Sequence, residues 1–73
     1  MIRDFTVQCH TTGYVTSVRL AGDHVEACAA MRDRQIRNGW TYGAVYTFRV
    51  REWPDGVLYE VTLPSGDARE IAP

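Results

Sequence analysis

The stretch "VYTFRVREWPDGVLYEV" at residues 45–61 decides the fold. Its side chains alternate: Tyr46, Phe48, Val50 and Glu52 fall on one side, and Val45, Thr47, Arg49, Arg51 and Trp53 on the other. A period of two is the signature of a strand. The turn "WPDG" follows, with proline to fix φ and glycine expected at positive φ, and then a second strand. A one-residue slip in pairing sends every side chain to the opposite face. Only an even-numbered loop therefore sets apolar against apolar. The expected pairing places Val50 with Val61, Phe48 with Leu63 and Glu52 with Tyr59 on the inner face. Arg51 then meets Glu60, Arg49 meets Thr62 and Trp53 meets Leu58 on the outer face.

The same arithmetic reads the start of the chain. Phe5, Val7 and Cys9 alternate with Asp4, Thr6, Gln8 and His10, and Tyr14, Thr16, Val18 and Leu20 share a face after Thr12-Gly13. An even loop centred on Thr12-Gly13 pairs Phe5 with Leu20, Val7 with Val18 and Cys9 with Thr16. It sets Thr6 against Arg19 and His10 against Val15 on the outer side.

A helix is expected between the two hairpins. Asp23 can cap it, and Glu26 three positions on completes a capping box. Asn38-Gly39 closes it, glycine suiting the left-handed position past the end, with Trp40 packing back on the last turn. At 100° per residue, Val25, Cys28, Ala29, Arg32 and Ile36 form its apolar stripe. Arg32 is expected to run its methylenes along the core and carry its guanidinium to the edge.

The order is ββαββ. A right-handed crossover puts strand 3 beside strand 1, which gives an antiparallel sheet in the order 2-1-3-4 with the helix on one face. Tyr42, Tyr46, Phe48, Phe5 and Tyr59 are expected to fill the space beneath the helix. Past Leu63, "PSGD" signals another turn, and residues 68–71 read as a short fifth strand. The fold class is α+β, in a single domain over residues 1–73.

Composition narrows the function. Hydrophobic residues are 45% of the chain, ordinary for a globular domain. No apolar run approaches the ~20 residues needed to span a bilayer, and no signal-peptide pattern opens the sequence, so a cytoplasmic location without membrane contact is expected. A formal charge of −1 gives no bulk attraction to nucleic acid. All basic residues are arginine, which excludes lysine Schiff-base chemistry.

No nucleophile motif, phosphate-binding loop or zinc-protease helix occurs. His10 at a turn and His24 in the first helical turn read as exposed polar residues, and a non-enzymatic protein without cofactor or small-molecule substrate is expected. Cys9, His24 and Cys28 could approach one another, but a fourth ligand is lacking, and buried unpaired thiols are the expectation.

"FTV…GYVTSV", followed by a helix carrying "VEACAAMRDRQI", resembles the start of HicB-type antitoxins, which begin with a two-strand hairpin and a helix. The likeness covers the first half of the chain. The proline- and glycine-bearing segment usual in that family between strand and helix is missing, and no residue role carries over.

The outer face is where a function is expected. Trp53 and Leu58 flank one turn, Arg51 and Arg49 border them, and Val45 and Val15 point the same way. That composition suits a protein-binding hot spot, unless the C-terminal segment with Ile71 folds back over it. The expected function is a protein-binding module, regulatory or inhibitor-like and of bacterial or phage type, docking through the open sheet face or a sheet edge, whose partner is another protein or a second copy of itself. The alternative is nucleic-acid binding through Arg19, Arg49 and Arg51, which Glu60 opposite Arg51 and nearby Asp4 should weaken.

Overall fold

The computed structural model describes residues 1–41 and 43–71. In chain order the elements are β1 (Arg3–Cys9), β2 (Val15–Leu20), α1 (His24–Arg37), β3 (Tyr46–Glu52), β4 (Tyr59–Leu63) and β5 (Asp67–Glu70). The strands form an antiparallel sheet in the order β2-β1-β3-β4-β5. The helix packs across β1 to β4 on one face. This is the expected α+β architecture, and the fifth strand is present, with Val61 opposite Ala68 and Glu60 opposite Arg69. Tyr42, expected beneath the helix, lies outside the described residues.

The faces follow the even-loop argument, and the register does not. Phe5 pairs with Val18 rather than Leu20, and Val7 with Thr16 rather than Val18. In the second hairpin Val50 pairs with Tyr59, Phe48 with Val61 and Arg49 with Glu60. Both ladders are shifted by two residues, which preserves every face. The cause is shared by all three hairpin turns. Each ends on a glycine whose N–H donates to the carbonyl four residues back: Gly13 to Cys9 at 2.8 Å, Gly56 to Glu52 at 2.9 Å and Gly66 to Thr62 at 2.8 Å. The expected loops ran one residue beyond that glycine. Gly56 is needed for closeness rather than for positive φ, since a Cβ there would stand 2.8 Å from the Glu52 carbonyl oxygen.

Helix α1 is closed at both ends as expected. The Glu26 N–H donates to Asp23 Oδ1 at 2.9 Å, and the Asp23 N–H donates to Glu26 Oε1 at 3.4 Å. At the other end Trp40 N–H donates to the Gln35 carbonyl at 2.8 Å and Gly39 N–H to that of Ile36 at 3.0 Å. This is a Schellman arrangement, and Gly39 at φ +85° supplies its left-handed residue.

The buried stripe differs from expectation. Ala27, Cys28, Met31 and Gln35 face the sheet, whereas Ile36 is exposed and Arg32 only half-buried. The helix is turned by about 100°, one residue's worth. The observed turn buries uncharged Met31 and leaves Arg32 at the edge, with its Nε 3.3 Å from Asp33 Oδ1. The guanidinium thus reaches the edge as expected, although the stripe itself lies on a neighbouring face.

Phe5, Val7, Phe48, Val50 and Val61 are fully buried with Ala27, Cys28 and Met31. Each such large apolar side chain contributes about 1.5–3 kcal/mol. His24 belongs to this layer as well: its ring lies 5.1 Å from that of Phe5 and 4.6 Å from that of Tyr59. It is half-buried, not the exposed polar residue its position suggested.

Candidate functional site

The open face is the side of the sheet away from α1. Its residues are set by strand parity: Asp4, Thr6 and Gln8 on β1, Arg49 and Arg51 on β3, Glu60 on β4 and Arg69 on β5. Trp53 continues β3, its N–H donating to the Asp4 carbonyl at 2.8 Å. The side chain is 65% exposed. Leu58 is half-buried. Near the end of the chain, Ile71 donates its N–H to the Leu58 carbonyl at 2.9 Å. That bond lays the chain alongside β4, continuing the ladder of β5, and Trp53 stays bare.

The register decides which charges meet. Glu60 stands opposite Arg49, not Arg51, and its carboxylate is taken by Arg69, with Nη2 at 2.8 Å and Nε at 3.1 Å. Arg19 grips Asp4 with Nε at 2.7 Å and Nη2 at 3.2 Å. The Arg19 guanidinium holds the Asp4 carboxyl below its usual value. Among the described residues no carboxylate lies within ion-pair distance of Arg49 or Arg51. The Nε of Arg51 is buried with no hydrogen-bond partner among those residues. Thr6 lies beside Arg51 and Gln8 beside Arg49 on β1.

The predicted residues do not all meet. Trp53, Leu58 and Arg51 gather at one end of the sheet, with Arg49 one step along β3. Val45 is exposed before the start of β3, about 26 Å from Trp53 at the usual rise per strand residue. Val15 is exposed on β2, two strands from Arg49 across Gln8. The predicted patch is therefore a cluster of four with two outliers.

His10 borders a shallow hollow of about 110 Å³ with Gln8, Cys9 and Arg49. Cys9 and Cys28 are both buried and unbridged. Burial, helped by nearby Asp23, pushes the Cys28 thiol up to about 12. Burial pushes Cys9 up too, but hydrogen bonds from Thr12, Gln35 and Thr11 outweigh it and leave that thiol below its usual value. Among the described residues no three of His, Cys, Asp and Glu are placed to hold a metal ion.

Sequence reasoning missed a larger concavity on the other side. The turn between β1 and β2 and the C-terminal end of α1 enclose about 500 Å³, lined by Tyr14, Met31, Arg34, Gln35, Asn38 and Trp40 among others. Two aromatics flanking separate turns, Tyr14 after "TTG" and Trp40 after "NG", were the available signal.

Comparison with protein-family models, curated proteins and solved structures finds no match. The likeness of the first half to HicB-type antitoxins thus rests on pattern alone. No helix among the described residues is long and apolar enough to cross a membrane.

Proposed function

We propose that this domain is a non-enzymatic protein-binding module, regulatory or inhibitor-like, that docks through the Trp53 end of its open sheet face. One observation carries the reading: an exposed tryptophan stands beside two arginines that no carboxylate of the described chain neutralises. Tryptophan and arginine are the residues most enriched at binding hot spots. Arg49 and half-buried Arg51, with no carboxylate partner among the described residues, leave guanidinium charge for an acceptor from outside. A two-fold pairing of this face would bring Arg49 and Arg51 of both copies to one interface. A foreign protein presenting carboxylates complements it better.

The test is affinity purification from the source cells with mass spectrometry, run in parallel on wild type, Trp53→Ala and the Arg49→Gln/Arg51→Gln double variant. A protein held by wild type and lost from both variants supports the reading. Equal recovery by all three would sink it.

A second reading is favoured by the same free arginines. Nucleic-acid phosphates would also satisfy Arg49 and Arg51, with Trp53 offering a stacking surface. Arg19, held by Asp4, contributes less to it. Mobility shifts at low and moderate salt separate the two readings: retention that falls steeply with salt and vanishes in the double variant selects nucleic acid.

A further inference from the structure

We infer that the concavity between the β1–β2 turn and the C-terminal end of α1 binds a small planar aromatic anion, a ring that bears a hydrogen-bond donor and a carboxylate or phosphate. The volume of about 500 Å³ is that of a small-molecule pocket, which typically spans about 300–1,000 Å³. Its lining is specific. Fully buried Met31 supplies an apolar contact, while Tyr14 and Trp40 are 57% and 54% exposed. Two aromatic side chains on facing elements suit a flat ring. The Schellman turn at Gly39 fixes the backbone of Trp40 beneath the last turn of α1.

Two polar groups give the ligand its polarity. Gln35 is only 6% exposed, and its Oε1 has no hydrogen-bond partner among the described residues. The orphan is the amide oxygen, the acceptor end of the side chain. A buried acceptor without a donor is costly, and an N–H or O–H on a ligand would relieve it. Arg34 also lines the space, with one nitrogen 3.3 Å from Thr16 Oγ1. None of the lining residues is acidic. The charge in the pocket is therefore positive, and an anion is the complementary ligand. The thiols, by contrast, are buried in the core and lie outside the lining.

This concavity is on the helix side of the sheet and at the opposite end from Trp53, so its test stands apart from that of the docking face. Trp53→Phe leaves Trp40 as the one tryptophan. In that background, Trp40 fluorescence is titrated with adenosine 5′-monophosphate, indole-3-carboxylate and inorganic phosphate. Saturable quenching by either ring compound, and none by phosphate, is expected. The nucleotide alone would identify a nucleotide-type ligand, and the indole acid alone an aromatic acid. Arg34→Gln should weaken binding about tenfold or more, as should Gln35→Leu, with the fold checked by circular dichroism. Arg37→Gln changes net charge equally but lies outside the lining, and it should shift affinity by less than about twofold. Should Gln35→Leu lose its fold, Arg34→Gln decides alone, since that side chain is exposed. No quenching up to millimolar ring compound, or Arg34→Gln binding as well as Arg37→Gln, overturns the inference.

Discussion

On the helix side of the sheet Phe5, Val7, Phe48, Val50 and Val61 lose all contact with water. One residue away along the same strands, Arg49 and Trp53 keep theirs. The covered side is over-determined, because apolar burial, strand parity and the capped helix agree. The open side is held by ion pairs at its borders, Asp4–Arg19 and Glu60–Arg69, with its middle left unanswered. Stability is concentrated on one face, and exposed, unneutralised charge on the other.

That contrast can be broken first at its strongest point. Phe48→Ala, in the central strand β3, should cost about 3–5 kcal/mol. In a domain of this size that is a large share of the total, and chemical denaturation should show the midpoint moved to much lower denaturant. Asp23→Ala removes the helix cap and should cost about 1 kcal/mol by the same measurement, marking how much the cover itself depends on its N-terminus. Trp53→Ala should change stability by less than about 0.5 kcal/mol, as expected of a surface residue. A loss as large as that of Phe48→Ala would mean that the two faces are not distinct in kind.

The smallest effect is in pH. Burial lowers the His24 pKa below its usual 6.5, and the Arg3 cation adds to this, against the pull of Glu52 and Asp23. The unfolded chain therefore takes up the proton at higher pH than the folded one. Stability should be full above pH 6.5 and decline as pH falls from there through the lowered folded value. Denaturation midpoints between pH 7 and 5 should show this slope in wild type and a flatter one in His24→Phe. The Asp4 carboxyl, lowered by Arg19, loses its share in a separate, more acidic window below its usual 3.8.

Parity and topology were legible because a period of two allows no compromise. Register was not, since shifting a ladder by two residues alters no face. Yet the chain carries the missing information in "HTTG", "WPDG" and "LPSG", where glycine is the last residue of each turn. Cys28 was placed correctly, but the helix face was misjudged because Ala27 is small and marks a stripe weakly. The placement turned on Met31 and on keeping Arg32 wet. Trp53 and the arginine pair were visible as an outward set, but whether Ile71 covered them depended on a backbone bond that no side-chain pattern encodes. The Tyr14–Trp40 concavity stayed hidden because its walls lie far apart in sequence.

The last strand has an effect beyond completing the sheet. All four residues of β5, Asp67 to Glu70, are exposed, and three carry charge of mixed sign. A stray chain seeking to extend the sheet there would have to strip water from those groups, which discourages fibre-like growth at that border. Any strand addition is thereby steered to the other margin, along β2.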